Sequence, residues 1–186
     1  MLLFNWQLLA YVGEIGVVVY GIISNTALVV TSISNGIAQA VQPLISTNFG
    51  AGKGERVREA RGLGVRTGLF AGVLFTSVGL FLPVPLSHLF LEPSAEVLSM
   101  AVPAIRLYFI GFLACEWNIM WGTYFQAVVK PKRSLLITLL RGILLNSLLV
   151  FVLPALFGVD GIWLTVTVSE FLTAVVVLFL MRKEKN

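Results

Sequence analysis

The 186-residue chain is poor in charge, with Asp, Glu, Lys and Arg together making up only 12% of it, against about 25% in an ordinary soluble domain. It is 58% hydrophobic with a mean hydropathy of +0.93. A soluble fold of this length has too little interior to hide so much apolar surface, so a soluble globular domain is excluded and the chain is integral to a membrane. One cysteine, Cys115, and one histidine, His88, are present. No disulfide can close within the chain, and no Cys/His metal spacing exists. Cys115 lies in an apolar run and reads as a small packing residue. His88, in the polar stretch SHLFLEPSAE, reads as structural. The net charge is +4, but the basic residues sit between apolar segments rather than on one soluble face, which excludes nucleic acid as a partner. No Ser-His-Asp set or nucleophile–base pair appears. GAGKG and GLG occur outside the strand–loop–helix setting that phosphate-binding glycines need. An enzyme is therefore not expected, and neither is a cofactor.

What is present is a series of apolar segments at 2–12, 17–47, 62–86, 97–129, 135–157 and 162–181. The first covers only about 17 Å as a helix, whereas a span needs about 30 Å. It reads as the second half of a helix whose first half is missing. The expectation is an all-α integral membrane protein with five full transmembrane helices and one truncated helix. Pro43 is expected to kink or end the second segment. Pro83 and Pro85 are expected to close the third. Glu14 is expected in a turn. Gly64, Gly68 and Gly72, at four-residue spacing, are expected to let a neighbouring helix come close.

Eleven of the thirteen Lys and Arg fall after the second segment (Lys53, Arg56, Arg58, Arg61, Arg66), after the fourth (Lys130, Lys132, Arg133) and in the tail 182–186. The alternate connections hold Glu14, Glu92, Glu96 and Asp160 and no basic residue. By the bias of Lys and Arg towards the cytoplasmic side, the basic connections and the C-terminus are expected inside.

Polar groups within the apolar segments are the functional candidates. At about 100° per residue, Asn25, Ser32, Asn35, Gln39 and Gln42 share one stripe of the second segment. Lipid cannot satisfy amides, so the stripe must either bond to other helices or line a polar cavity. Asn118 and Tyr124 of the fourth segment join it as cavity candidates. Three ionisable groups, Glu116, Arg141 and Glu170, lie deep in the bilayer, where such groups face the bundle interior, pair, or serve ion movement; Arg106 lies near the far interface and can snorkel. Arg141 is about 12 Å and Glu170 about 18 Å from the basic edge, on segments joined by the tight turn FGVDGI. They are expected to form an ion pair. Glu116, roughly 21 Å in, has no evident partner at its depth. It reads either as a carboxyl that takes up and releases a coupling ion or as a hydrogen-bonded core acid.

GIAQAVQPLIS at 36–46, NFGAG at 48–52 and the basic run after it, YFQA at 124–127 leading to Lys130-Pro131-Lys132, and GVDGIWL at 158–164 followed by Ser169-Glu170 together resemble the multidrug and toxic compound extrusion (MATE) transporters. The resemblance implies one six-helix lobe of a twelve-helix protein, the C-terminal one, beginning midway through the seventh helix. It implies a multi-pass protein of the plasma (inner) membrane that exports cationic or amphipathic drug-like compounds in exchange for H⁺ or Na⁺. The N-terminal lobe and surrounding lipid would be its partners. Glu116 is the only acid in the segment corresponding to the tenth helix, from which some members bind the cation. Two alternatives stand beside this: a flippase of lipid-linked oligosaccharides from the same superfamily, and an inactive orphan half-transporter fragment.

Overall fold

The computed structural model describes residues 2–185, with the side chains of residues 184 and 185 excluded. The description therefore stops short of Met1 and of the end of the expected basic tail. All the regular structure among the described residues is helical. Helix α1 (Leu2–Val12) meets α2 (Glu14–Gly50) at Gly13, whose φ of 74° reverses the chain. The reversal is tight: a Cβ added at Gly16 would lie 2.9 Å from Val12. Gln7 donates to the Val150 carbonyl at 3.1 Å and ties α1 across the bundle. Glu14 opens α2 rather than sitting in a turn.

Helix α2 continues through Pro43 and runs for 37 residues, about 55 Å, so the helix does not end there. Pro43 lies on an exposed face. Gly52, at φ 70°, makes the turn into α3 (Gly54–Phe81). The basic run expected as a loop is therefore mostly the first three turns of a helix, with only Lys53 left in the connection. Helix α3 ends at Phe81, just ahead of Pro83, and Pro83 then starts a short helix, α4 (Pro83–His88), in the first-turn position where its missing N–H costs nothing. His88 ends that helix.

The fourth span is two helices, α5 (Ala95–Phe109) and α6 (Gly111–Ala127), offset at Ile110. Two side chains take up three carbonyls freed by the offset. Thr167 donates to Leu107 O at 2.6 Å and lies 3.1 Å from Tyr108 O, and Thr76 donates to Phe109 O at 2.9 Å. Ser94 caps the start of α5 through the Val97 N–H. Arg106 donates to Leu80 O at 3.1 Å, a cation on the C-terminal carbonyls of α3.

The fifth span comprises α7 (Pro131–Leu139), a π-helical turn at Leu140–Leu144 and α8 (Leu145–Phe157). Gly158, at φ 59°, leads into α9 (Val159–Lys185). Gly161 packs directly on the Leu153 carbonyl, where no side chain would fit. Among the described residues, five stretches are long and apolar enough to cross a membrane: Glu14–Gly50, Gly54–Phe81, Ala95–Ala127, Pro131–Phe157 and Val159–Lys183. The chain is a multi-pass membrane protein.

Helix α6 is the axis of the lobe. It is buried nearly all round, and α2, α3, α5, α7 and α9 pack on it. The glycines of α3 make that approach possible: a Cβ at Gly68 would lie 2.9 Å from Met120, and one at Gly72 3.1 Å from the Phe112 carbonyl. Phe109 lies directly on Gly79. The outside carries Phe70, Leu74, Phe81, Leu148, Leu156 and Phe179, all exposed, as a surface bathed in hydrocarbon requires.

Candidate functional site

Successive residues of a helix point about 100° apart, so α6 divides its polar residues between two neighbours. Glu116 points towards α2 and α3. It is fully buried, and it fits because α3 presents no side chain there: added Cβ atoms at Gly68 and Gly72 would come within 3.4 and 3.1 Å of its Oε2 and Cγ. The glycine spacing expected to serve packing thus also makes room for a carboxyl. Glu116 Oε1 is hydrogen-bonded to the Ser34 hydroxyl of α2. Its Oε2 has no hydrogen-bond partner among the described residues. Ser34 Oγ also lies 2.8 Å from the Val30 carbonyl. A hydroxyl has one proton to donate. When Ser34 gives it to Val30, a hydrogen bond to Glu116 requires the carboxyl to carry a proton. When Ser34 gives it to Glu116, the carboxyl can be charged. Ser34 therefore accommodates both states of Glu116 without moving its helix.

The other polar face of α6 meets α9 and the π turn. Arg141 Nη2 lies 2.6 Å from Glu170 Oε1, and its Nε lies 3.0 and 3.2 Å from the two carboxylate oxygens. This is the two-pronged geometry that guanidinium and carboxylate favour. Asn118 Nδ2 donates to Glu170 Oε2 and to the Glu170 carbonyl, both at 2.8 Å. Arg141 Nη2 also lies 2.9 Å from Cys115 Sγ, so the cysteine is more than filler. Arg141 stands in the π turn, and the Asn146 side chain donates to the Arg141 carbonyl, holding the irregular backbone. A cavity of about 260 Å³ opens beside the pair, with Tyr20, Thr31, Tyr108 and Asn146 in its wall.

The candidates drawn from the sequence thus separate into three places. Arg141 and Glu170 are together, while Glu116 is across α6 from them. Asn25, Ser32, Asn35 and Gln39 are exposed on the outer face of α2, and Gln42 is half-buried. None of these five bonds to another helix among the described residues. Asn118 and Tyr124 are not on that face. Both are buried, Asn118 against Glu170 and Tyr124 near the basic end, where the Arg61 guanidinium lies 5.1 Å from its ring and from that of Trp121. Ser34 was missed because it lies off the stripe, on the inner side of α2. Cys115 was missed as a partner of Arg141 because spacing alone does not show which helix faces α6. No group of three or more His, Cys, Asp or Glu able to hold a metal ion occurs among the described residues.

An all-α membrane lobe with a buried acid on one side of its central helix and an ion pair on the other is the class that fold and site define. The MatE family model matches residues 2–152, and the chain belongs to the multidrug and toxic compound extrusion (MATE) family. It is 26% identical over 186 residues to the multidrug export protein MepA of Staphylococcus aureus (strain NCTC 8325 / PS 47), a match covering 94% of this chain and 39% of that protein. It is 24% identical over 183 residues to an FAD transporter of Shewanella oneidensis (strain MR-1), covering 95% and 39%. Its fold matches that of a multidrug resistance MATE family transporter of the MOP superfamily in the outward-facing conformation, with a TM-score of 0.87 at 18% identity, over 99% of this chain and 42% of that one. The chain spans about two-fifths of the length of the relatives it matches.

Proposed function

We propose that this chain is the C-terminal lobe of a secondary active exporter of cationic or amphipathic compounds, driven by inward movement of H⁺ or Na⁺. The observation that carries the reading is Glu116: a fully buried carboxyl with one oxygen on Ser34 and the other without a partner among the described residues, on a helix packed against α2. The opposite face of α2 carries the exposed amides Asn25, Asn35 and Gln39. In this reading the amides are one wall of a substrate passage whose other wall is the N-terminal lobe, since alternating access works by two repeats moving about a shared site. Ion uptake at Glu116 and substrate contact on α2 would then be separated by the thickness of one helix. The basic turns lie in the cytoplasm, by the charge bias, and the membrane is the plasma membrane.

The test uses the complete protein in proteoliposomes with an imposed pH or Na⁺ gradient and a fluorescent organic cation. The expected result is gradient-driven accumulation that Glu116→Gln abolishes while substrate binding persists. Unchanged accumulation in Glu116→Gln would overturn the assignment. The flippase alternative calls for a cavity of positive character, whereas the one deep cation, Arg141, is neutralised by Glu170. Loss of cell-envelope polymer without drug sensitivity, on deleting the gene, would favour it.

A further inference from the structure

Glu116 is enclosed by helices whose backbones are unbroken where they meet it. Ser34 lies mid-way along α2, Gly68 and Gly72 lie mid-way along α3, and Glu116 itself is in the second turn of α6. The backbone carbonyls at these levels are taken up along their own helices. The nearest break is at Ile110, about 9 Å along the axis from Glu116, and the carbonyls freed there already accept from Thr76 and Thr167. Among the described residues, Ser34 is the one side chain hydrogen-bonded to the carboxyl. Helix α3 contributes glycines, and the Met120 side chain fills the space beside Gly68. The charged groups that act on Glu116 are Arg141 and Glu170, across α6, and they neutralise each other. Cys115, next to it on α6, faces Arg141. Arg66, the nearest charged residue along α3, is exposed at the surface. Helix α2 carries no acid or base from Ile15 to Gly50.

We propose that Glu116 and Ser34 form a site for a proton and not for sodium, with Ser34 the positioning residue that fits the site to both of its states. The proposal rests on the exporter reading and names its coupling ion. A sodium ion must replace its water shell with several oxygens, which transporters supply in part from unwound backbone. Here the packing offers one carboxyl and one hydroxyl. A proton needs no such cage. On uptake it bonds to Glu116 Oε1, and the carboxylate becomes a neutral acid. The new O–H donates to Ser34 Oγ, and the Ser34 hydroxyl turns to the Val30 carbonyl 2.8 Å away. Oε2 is then an uncharged carbonyl oxygen, which tolerates the lack of a donor better than a charged oxygen does. On release the proton leaves Oε1, and the Ser34 hydroxyl turns back to it. Neither step requires α2 or α6 to move.

The experiment is infrared difference spectroscopy of the complete protein in lipid, between acid and alkaline buffer. Subtracting the spectrum of Glu116→Gln isolates the carboxyl band of Glu116. The expected result is a band that titrates with a midpoint unaffected when sodium chloride replaces choline chloride at equal ionic strength. Ser34→Ala should move that midpoint by about one pH unit, the worth of one hydrogen bond, which a serine that only fills space would not do. A midpoint that shifts with sodium concentration would overturn the proposal, and so would a Glu116 band that does not titrate. An unchanged midpoint in Ser34→Ala, with the variant shown to be folded by its size-exclusion profile, would overturn the role of Ser34. The same preparations are tested for accumulation of the organic cation. Accumulation under neither gradient, with the band still titrating independently of sodium, would overturn the exporter reading and leave the proton site standing.

Discussion

Arg141 and Glu170, 29 residues apart in the chain, meet in two-pronged contact at 2.6 to 3.2 Å within the membrane-spanning part of the lobe. Neither charge could be held there alone. Arg141→Gln leaves Glu170 with Asn118 as its remaining partner. It should destabilise the lobe by about 3–5 kcal/mol, as removal of one member of a buried pair does. Arg141→Leu combined with Glu170→Leu should recover most of that loss. Thermal unfolding of the detergent-purified protein measures both. A double variant as unstable as the single would show that the pair does more than neutralise itself.

Glu116→Gln replaces one carboxyl oxygen by an amide of nearly the same shape. Ser34 can still bond to it, so the unfolding temperature should stay within about 2 °C of the original, a change of at most about 0.5–1 kcal/mol for a chain of this size. Ion-driven accumulation should nevertheless be lost. Ser34→Ala removes the hydroxyl that serves both protonation states. It should leave a buried carboxyl with no partner, at a cost of about 1–3 kcal/mol.

The glycines divide sharply. Gly79→Ala drives a methyl group into the Phe109 ring, and Gly72→Ala one against the Phe112 carbonyl; each should cost about 1–3 kcal/mol. At Gly36 an added Cβ meets nothing within 4 Å, and the position is inside α2. Gly36→Ala should be neutral or should stabilise by up to about 1 kcal/mol through helix propensity. A common effect at all three sites would contradict this packing.

Asn35→Leu and Gln39→Leu alter the outer face of α2, where no bond to another helix is lost among the described residues. The unfolding temperature should be unchanged, while export of an organic cation falls several-fold. A drug-susceptibility assay with matched expression levels reads this directly. If stability falls with export, the amides hold the protein together rather than line a passage.

The spans, their order and the Arg141–Glu170 contact could be read from residue type and distance along a helix, because hydropathy and the 1.5 Å rise depend on composition and spacing alone. The interruptions could not. The offset at Ile110 exists because Thr76 and Thr167, distant in sequence, supply the hydroxyls that the free carbonyls need. The π turn around Arg141 leaves no mark in an apolar run. Pro43 does not end α2, because a proline signals a lost hydrogen bond, not whether the exposed side of a long helix can tolerate one. The role of Ser34 on the inner side of α2 was hidden for the same reason as the burial of Asn118 and Tyr124. Periodicity shows which residues share a face, but not which neighbour the face meets.

The central position of α6 sets an order on the making of the protein. Ribosomes add about 5–20 residues per second, and Glu170 lies 52 residues after Asn118. For several seconds the fourth span therefore waits in the bilayer with its amide unmet and one flank bare, while Arg141 enters ahead of its counter-charge. The packing around α6 closes only when α9 arrives, and quality-control proteases that patrol the membrane have until then to find the open flank.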